Sequence, residues 1–294
     1  MNHINKEIIS AKKRVVKIQK KKEKLKIKKQ KLQDKIHLYF DSKYDTTDAQ
    51  KYIISTFWAK AYENYIDGGY ITNDPYIAEV RFKYESKKLD KILKKYINNN
   101  KRALDIGCGN GRYTQKFAAN FDEVVGIDLS QKRIDDNNTQ NKYNNITYLN
   151  ENFITMPKDT LGKFDFVFVG DIFMYTSDND VEKVFKSLLK LLKPNGMLIV
   201  RESTLIYGDS YWKSKGYVAY YRNVNFYQKG IFKNYIKKVY RNYGYSLYYF
   251  DKYFNIHKKQ KNKIAKKPML LEKLVEKYID RHKKSSHFFV YKKS

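Results

Sequence analysis

The amino-acid sequence predicts an α/β fold: a doubly wound, mostly parallel seven-stranded sheet preceded by a helical extension. Three observations point there. Short apolar runs alternate with helical stretches from residue 102 onward, a glycine-rich turn follows the first run, and 294 residues at 42% hydrophobic and 16% aromatic content suffice for one large core.

Residues 1–46 read as a lysine-rich helical extension. Ile8, Val15, Lys22, Lys29 and Ile36 alternate with Ile4, Ala11, Ile18, Leu25 and Leu32 in the 4,3 spacing of a coiled-coil seam. Residues 1–36 are therefore expected to self-associate or to dock on a partner helix; a basic amphipathic helix lying on an anionic membrane surface is the competing reading. Residues 47–98 are expected to form a helical cap from two segments, one ending at Gly68 and Gly69 and one running through "DPYIAEVRFKYESKKLDKILKKY".

From residue 99 the pattern becomes regular. Strands are expected at "RALDIG", "EVVGID", "ITYLNE", "FDFVFVG", "MLIVRES", "YSLYYFDKY" and "HFFVYKK". Helices are expected after Gly111, after Ser130, and over 178–192, 228–242 and 269–284. In such sheets a ligand sits beyond the C-terminal strand ends, where the chain reverses its winding. The glycine turn lies at that place.

The net charge is +29, concentrated at the two ends: residues 1–36 and 252–294 each carry a net +11, leaving +7 for the middle. The ends are suited to nucleic acid or an anionic membrane surface, although lysines spread through a chain rich in Asn, Ile and Tyr also read as plain solvated surface. Cys108 is the only cysteine, which excludes an intrachain disulfide and a cysteine-based zinc site. The five histidines show no His-x-x-x-His spacing, so no metal is expected. Lacking both a run of about 18 apolar residues and a leader-like apolar stretch at the N-terminus, the chain is expected in the cytoplasm.

The turn itself, "ALDIGCGNGRYT", narrows the ligand. A P-loop requires Gly-Lys-Ser/Thr, whereas Arg112 and Tyr113 follow Gly111. A dinucleotide site requires G-x-G-x-x-G, whereas the spacing here is Gly107-x-Gly109-x-Gly111, with Asp105 two residues ahead. A carboxylate there repels a pyrophosphate and suits a cationic tail. Asp128, ending "GID", is placed to accept hydrogen bonds from ribose hydroxyls. A nucleoside without phosphates, carrying a positive charge, meets these conditions, and S-adenosylmethionine is such a molecule.

Through "LDIGCGNGR", "GIDLS", "LNENFITMP", "FDFVFVGDIFMY" and "LLKPNGMLIVRES" the chain closely resembles the class I methyltransferases, which have a Rossmann-like sheet. The resemblance implies that Asp105, Gly107, Gly109 and Gly170 line the methionine side of the cofactor site. It makes Asp128 the ribose ligand, places Leu129 beside the adenine, and sets Asn152 and Phe153 at the adenine ring. It also implies N-terminal helices over the mouth of the site. Methyl transfer requires in-line positioning above all, and an amine or hydroxyl acceptor must also lose a proton. Asp171, Tyr175 and Glu202 are the acid–base candidates.

A narrower resemblance covers residues 164–230. "MYTSDNDVE" and "YRNVNFY" look like the first domain of plant-type phosphoethanolamine N-methyltransferases. It implies a phosphobase acceptor with Tyr221, Arg222 and Tyr227 as its ligands, since Arg and Tyr donate to phosphate and aromatic faces attract an ammonium. A small-molecule, lipid-linked or glycan-linked acceptor is the expected class. The rival is RNA or protein methylation, with the basic ends holding a polyanionic or acidic substrate.

Overall fold

The computed structural model describes residues 75–97, 101–205, 208, 210–214, 217–242 and 284–293. All of them belong to one compact unit, Gln50–Ser294. The 4,3 seam of residues 1–36, the helix ending at Gly68 and Gly69, the strand expected at 245–253 and nearly all of the helix expected at 269–284 lie outside the described residues.

Nine strands are described: β1 (Arg102–Ile106), β2 (Glu123–Asp128), β3 (Ile146–Asn150), β4 (Phe164–Gly170), β5 (Leu192–Leu205), β6 (Ser210–Ser214), β7 (Tyr217–Tyr221), β8 (Ile236–Asn242) and β9 (Lys284–Lys292). Four helices accompany them: α1 (Pro75–Tyr96), α2 (Arg112–Ala118), α3 (Gln131–Gln140) and α4 (Asp178–Leu191). Seven strands form one sheet in the order β3-β2-β1-β4-β5-β9-β8, and β6 and β7 form a separate ribbon. Pairing is parallel from β3 to β5 and antiparallel at β5–β9 and β9–β8.

Period-two alternation along the strands divides the core between the two faces of the sheet. Leu104, Ile106, Val167, Val169, Leu198, Val200 and Phe289 cluster with Val181, Phe185 and Leu188 of α4. Ala103, Phe166, Phe168, Ile199 and Phe288 cluster with Leu89, Ile92 and Leu93 of α1 and Phe117 of α2. α4 begins at an N-cap that its sequence dictates: the Ser177 hydroxyl accepts from the Asp180 N–H, and Asp178 and Asp180 place negative charge in the first turn.

The helix expected over 228–242 is a correction. Two short 3₁₀ segments, Val224–Gln228 and Gly230–Asn234, lead instead into β8 at the sheet edge. Ile236 and Val239 stand three residues apart, a helical spacing, yet both pack on the same cluster. A register shift between Ile236 and Lys238 puts them there, because a bulge inserts one residue and reverses the alternation. The β6–β7 ribbon holds Tyr221, which the sequence reading placed in no regular element.

Candidate active site

The register of the parallel strands brings the glycine turn, Asp128 and Gly170 to one edge. Ile106 pairs with both Ile127 and Val169, Asp128 with Asn150, and Gly170 with Arg201. Gly107, Gly109 and Gly111 all have φ between 54° and 72°, left-handed values that a side chain opposes. The turn is also crowded: a Cβ on Gly107 would come within 2.7 Å of the Ile172 Cδ1, and one on Gly111 within 2.7 Å of the Tyr148 hydroxyl. The post-β4 segment is thus a wall of the glycine turn.

Polar side chains shape the turn from several elements. The Gly109 N–H donates to Asp128 Oδ2 at 2.8 Å, and the Ser130 N–H donates to Oδ1 at 3.0 Å. Asn137 of α3 donates to the Gly109 carbonyl at 2.9 Å. Asn150 donates to the carbonyls of Asp128 and Leu129, at 3.1 and 2.9 Å. Asp128 and Leu129 are half-buried at the strand end, so their outer surfaces remain open to a ligand.

Two of the residues assigned to the donor are buried. Asp105 lies beneath the turn and accepts from the Thr114 hydroxyl at 2.7 Å, which braces the turn. Burial pushes its carboxyl up to about 7, against the lowering effect of Thr114. Phe153 is turned into the core beside Ile127 and Met156, under the Lys158 ammonium, and only Asn152 of that pair is partly exposed. Asn152 Oδ1 accepts from the Ile154 N–H, a local turn that fixes its side chain.

The acid–base candidates separate in the same manner. Glu202 is fully buried, and its two oxygens accept the N–H groups of Phe173 and Met174 at 2.8 and 3.2 Å. Burial raises it to about 8, partly countered by those N–H groups and by Arg222. It holds the start of the 3₁₀ turn Phe173–Tyr175. Asp171 has φ 53°, accepts the Ser203 N–H at 2.7 Å and is ion-paired with Arg201. It retains 24% side-chain exposure. Tyr175 is half-buried against Met174, Leu205 and Tyr221.

The three residues assigned to the acceptor are all buried. Arg222, 3% exposed, donates through Nε to Asp178 at 2.7 Å and through Nη1 and Nη2 to the carbonyls of Phe173 and Thr176, each at 2.6 Å. Its flat faces lie against Tyr220 and Phe226. Tyr227 packs among Phe173, Phe232 and Phe289, and Tyr221 beside Met174 and Leu205. They build the wall behind the post-β4 segment.

Sequence reasoning missed the buried network on the other face. Glu85 of α1 accepts from Arg201 at 2.7 Å, from Arg81 at 2.9 Å and from Tyr113 at 2.8 Å. No local pattern signals it, since Glu85 and Arg201 are 116 residues apart. Among the described residues no group of three His, Cys, Asp or Glu side chains is placed to hold a metal ion. No described helix is long and apolar enough to cross a membrane.

Comparison with known proteins agrees with this geometry. A family described as a methyltransferase domain matches residues 103–196. Phosphoethanolamine N-methyltransferase 1 of Triticum aestivum is 35% identical over 138 residues, which cover 45% of this chain and 27% of the wheat protein. The chain thus spans about a quarter of that relative's length. Ubiquinone biosynthesis O-methyltransferase of Rickettsia akari is 29% identical over 126 residues, covering 42% of this chain and 48% of that protein. Among solved structures, Haemonchus contortus phosphoethanolamine N-methyltransferase 1, in complex with phosphoethanolamine and S-adenosylhomocysteine, superposes with a TM-score of 0.56 at 18% identity. The match covers 84% of this chain and 50% of that one. Magnesium protoporphyrin IX methyltransferase of Synechocystis PCC 6803, with bound SAM, gives 0.51 at 14% identity, over 85% and 99% of the two chains. These matches make residues 103–196 similar to a methyltransferase domain, on a fold shared with solved methyltransferases.

Proposed function

We propose that the chain methylates a small-molecule amine, with phosphoethanolamine the leading acceptor. The observation that carries this reading is the 35% identity to the wheat phosphoethanolamine N-methyltransferase across 45% of the chain. Arg222 and Tyr227 are buried, so the acceptor is placed against the partly exposed Asp171 and Tyr175.

The residues at the sheet edge fit the donor. Three glycines let Ile172, Arg133 and Tyr148 pack close against the turn, and Asp128 and Leu129 present a carboxylate and an apolar surface beside it. When bound there, S-adenosylmethionine supplies an electrophilic methyl group on a sulfonium sulfur. The chain's task is to hold the amine lone pair in line with the carbon–sulfur bond, which is chiefly a matter of position. In this reading Asp171, partly exposed and held by Arg201 and Ser203, supplies the negative charge that attracts the ammonium end of the acceptor. Tyr175, on the turn that follows, offers an aromatic face and a hydroxyl to the same group. The acceptor's ammonium would lose one proton to solvent to expose its lone pair, and Asp171 and Tyr175 would hold the resulting amine facing the methyl group that the donor supplies.

Tritiated methyl transfer tests this. The chain is incubated with labelled S-adenosylmethionine and, separately, phosphoethanolamine, a demethylated quinol precursor, and total RNA. Label in N-methylated phosphoethanolamine is expected; label confined to the quinol or to RNA would replace the proposed acceptor.

A further inference from the structure

We infer that Glu85 of α1 is a positioning residue for the donor site, acting through Arg201 and Asp171 on the wall of the glycine turn. The inference rests on the donor assignment and is independent of the acceptor.

The chain of contacts is short and buried. Arg201 is 1% exposed, and its guanidinium is shared between two carboxylates: Nη2 donates to Glu85, and Nη1 is paired with Asp171. Glu85 is in turn held by Arg81 from the same helix and by the Tyr113 hydroxyl from α2. Among the described residues two cations, Arg81 and Arg201, meet two anions, Glu85 and Asp171, here. Each is held in place by the others, because a buried charge that loses a partner is strongly disfavoured.

Asp171 is where this network meets the site. It is a non-glycine residue at φ 53°, a conformation that persists only where surrounding contacts over-determine it. Those contacts are the Arg201 guanidinium, the Ser203 N–H at 2.7 Å, and the hydrogen bond from its own N–H to the Arg201 carbonyl at 2.8 Å. The next residue, Ile172, occupies the space beside Gly107 that a Cβ would need. A shift of the Arg201 guanidinium therefore reaches the glycine turn in two residues. Glu85 fixes the orientation of that guanidinium from α1.

S-adenosylhomocysteine binding is measured by calorimetry on the full chain for wild type, E85Q, D171N and the double variant, with melting temperatures recorded in parallel. E85Q keeps the shape and an acceptor oxygen but removes the charge. It is expected to weaken binding about tenfold, D171N similarly, and the double variant no further than either single, since coupled neighbours are non-additive. D90N, which breaks the exposed Asp90–Lys116 pair between α1 and α2, is the control and is expected to bind as wild type. Wild-type affinity in E85Q, additive losses in the double variant, or an equal loss in D90N would each overturn the inference. A merely structural Glu85 would lower the melting temperature and leave the affinity of the folded protein unchanged. If E85Q does not fold, E85D, which keeps the charge but draws it back by one methylene, takes its place with the same expectations. Absence of binding by the wild-type chain would instead overturn the donor assignment, and this inference with it.

Discussion

Thr114 donates its hydroxyl to the Asp105 carboxylate at 2.7 Å in the closed space beneath the glycine turn. The contact joins the end of β1 to the first turn of α2, the two arms of the loop that holds the donor. It has a titratable consequence. Burial raises Asp105 from about 3.8 in the unfolded chain to about 7 in the folded one. A carboxyl raised on folding contributes stability that is fully present below its unfolded pKa and lost as pH rises through its folded pKa. The window is therefore roughly pH 4 to 7, and three units correspond to on the order of 4 kcal/mol. Asp105→Asn, whose amide oxygen still accepts from Thr114, should gain on wild type across that window and hold the gain above it. Urea unfolding at several pH values measures the difference, and a constant gap from pH 4 to 8 would show that Asp105 does not titrate there.

Asp128 has two duties that a substitution separates. Its carboxylate organises the turn through the N–H groups of Gly109 and Ser130, and the resemblance to methyltransferases makes it the ribose ligand. Asp128→Ala removes both, and the loss of charge-assisted hydrogen bonds at about 1.5–3 kcal/mol should weaken S-adenosylhomocysteine binding by at least about tenfold. Asp128→Asn retains one acceptor for Gly109 and should fall between the two. Calorimetric affinities in the order wild type, Asn, Ala support the dual role; equal affinity for all three would remove Asp128 from the donor site.

The glycine turn was legible in the sequence because its signals are local. Gly107, Gly109 and Gly111 lie within five residues, and Asp128 ends a strand whose alternation is plain. The surroundings of Arg222 were not, because Asp178, Phe173 and Thr176, which occupy its donors, lie 44 to 49 residues away. Glu85 reads as one more solvated charge on a lysine-rich helix. β8 was hidden for another reason: its bulge gives Ile236 and Val239 the spacing of a helix face.

Arg222 is therefore predicted to act on stability. Truncating it to Met leaves the carbonyls of Phe173 and Thr176 without their donors in the interior, while Asp178, 58% exposed on its side chain, is resolvated at little cost. The expected loss is about 2–4 kcal/mol. Denaturant unfolding reads it directly. A variant with wild-type stability and a raised Michaelis constant for phosphoethanolamine would return Arg222 to the acceptor site.

Gly107 separates backbone strain from crowding. Gly107→Ala places a Cβ 2.7 Å from the Ile172 Cδ1 and 3.3 Å from its Cγ1, and also imposes a side chain at φ 72°. The left-handed conformation alone costs about 1–2 kcal/mol, and the contact adds to it. Ile172→Val removes Cδ1, the nearer contact, and keeps Cγ1 at 3.3 Å, so in the double variant most of the crowding is relieved and the φ strain persists. Gly107→Ala should then lose both stability and affinity for S-adenosylhomocysteine, and adding Ile172→Val should recover only part of each. Full recovery would mean that φ carries no cost at this position. No recovery would mean that Ile172 gives way freely, so that the post-β4 segment is not a rigid wall of the turn.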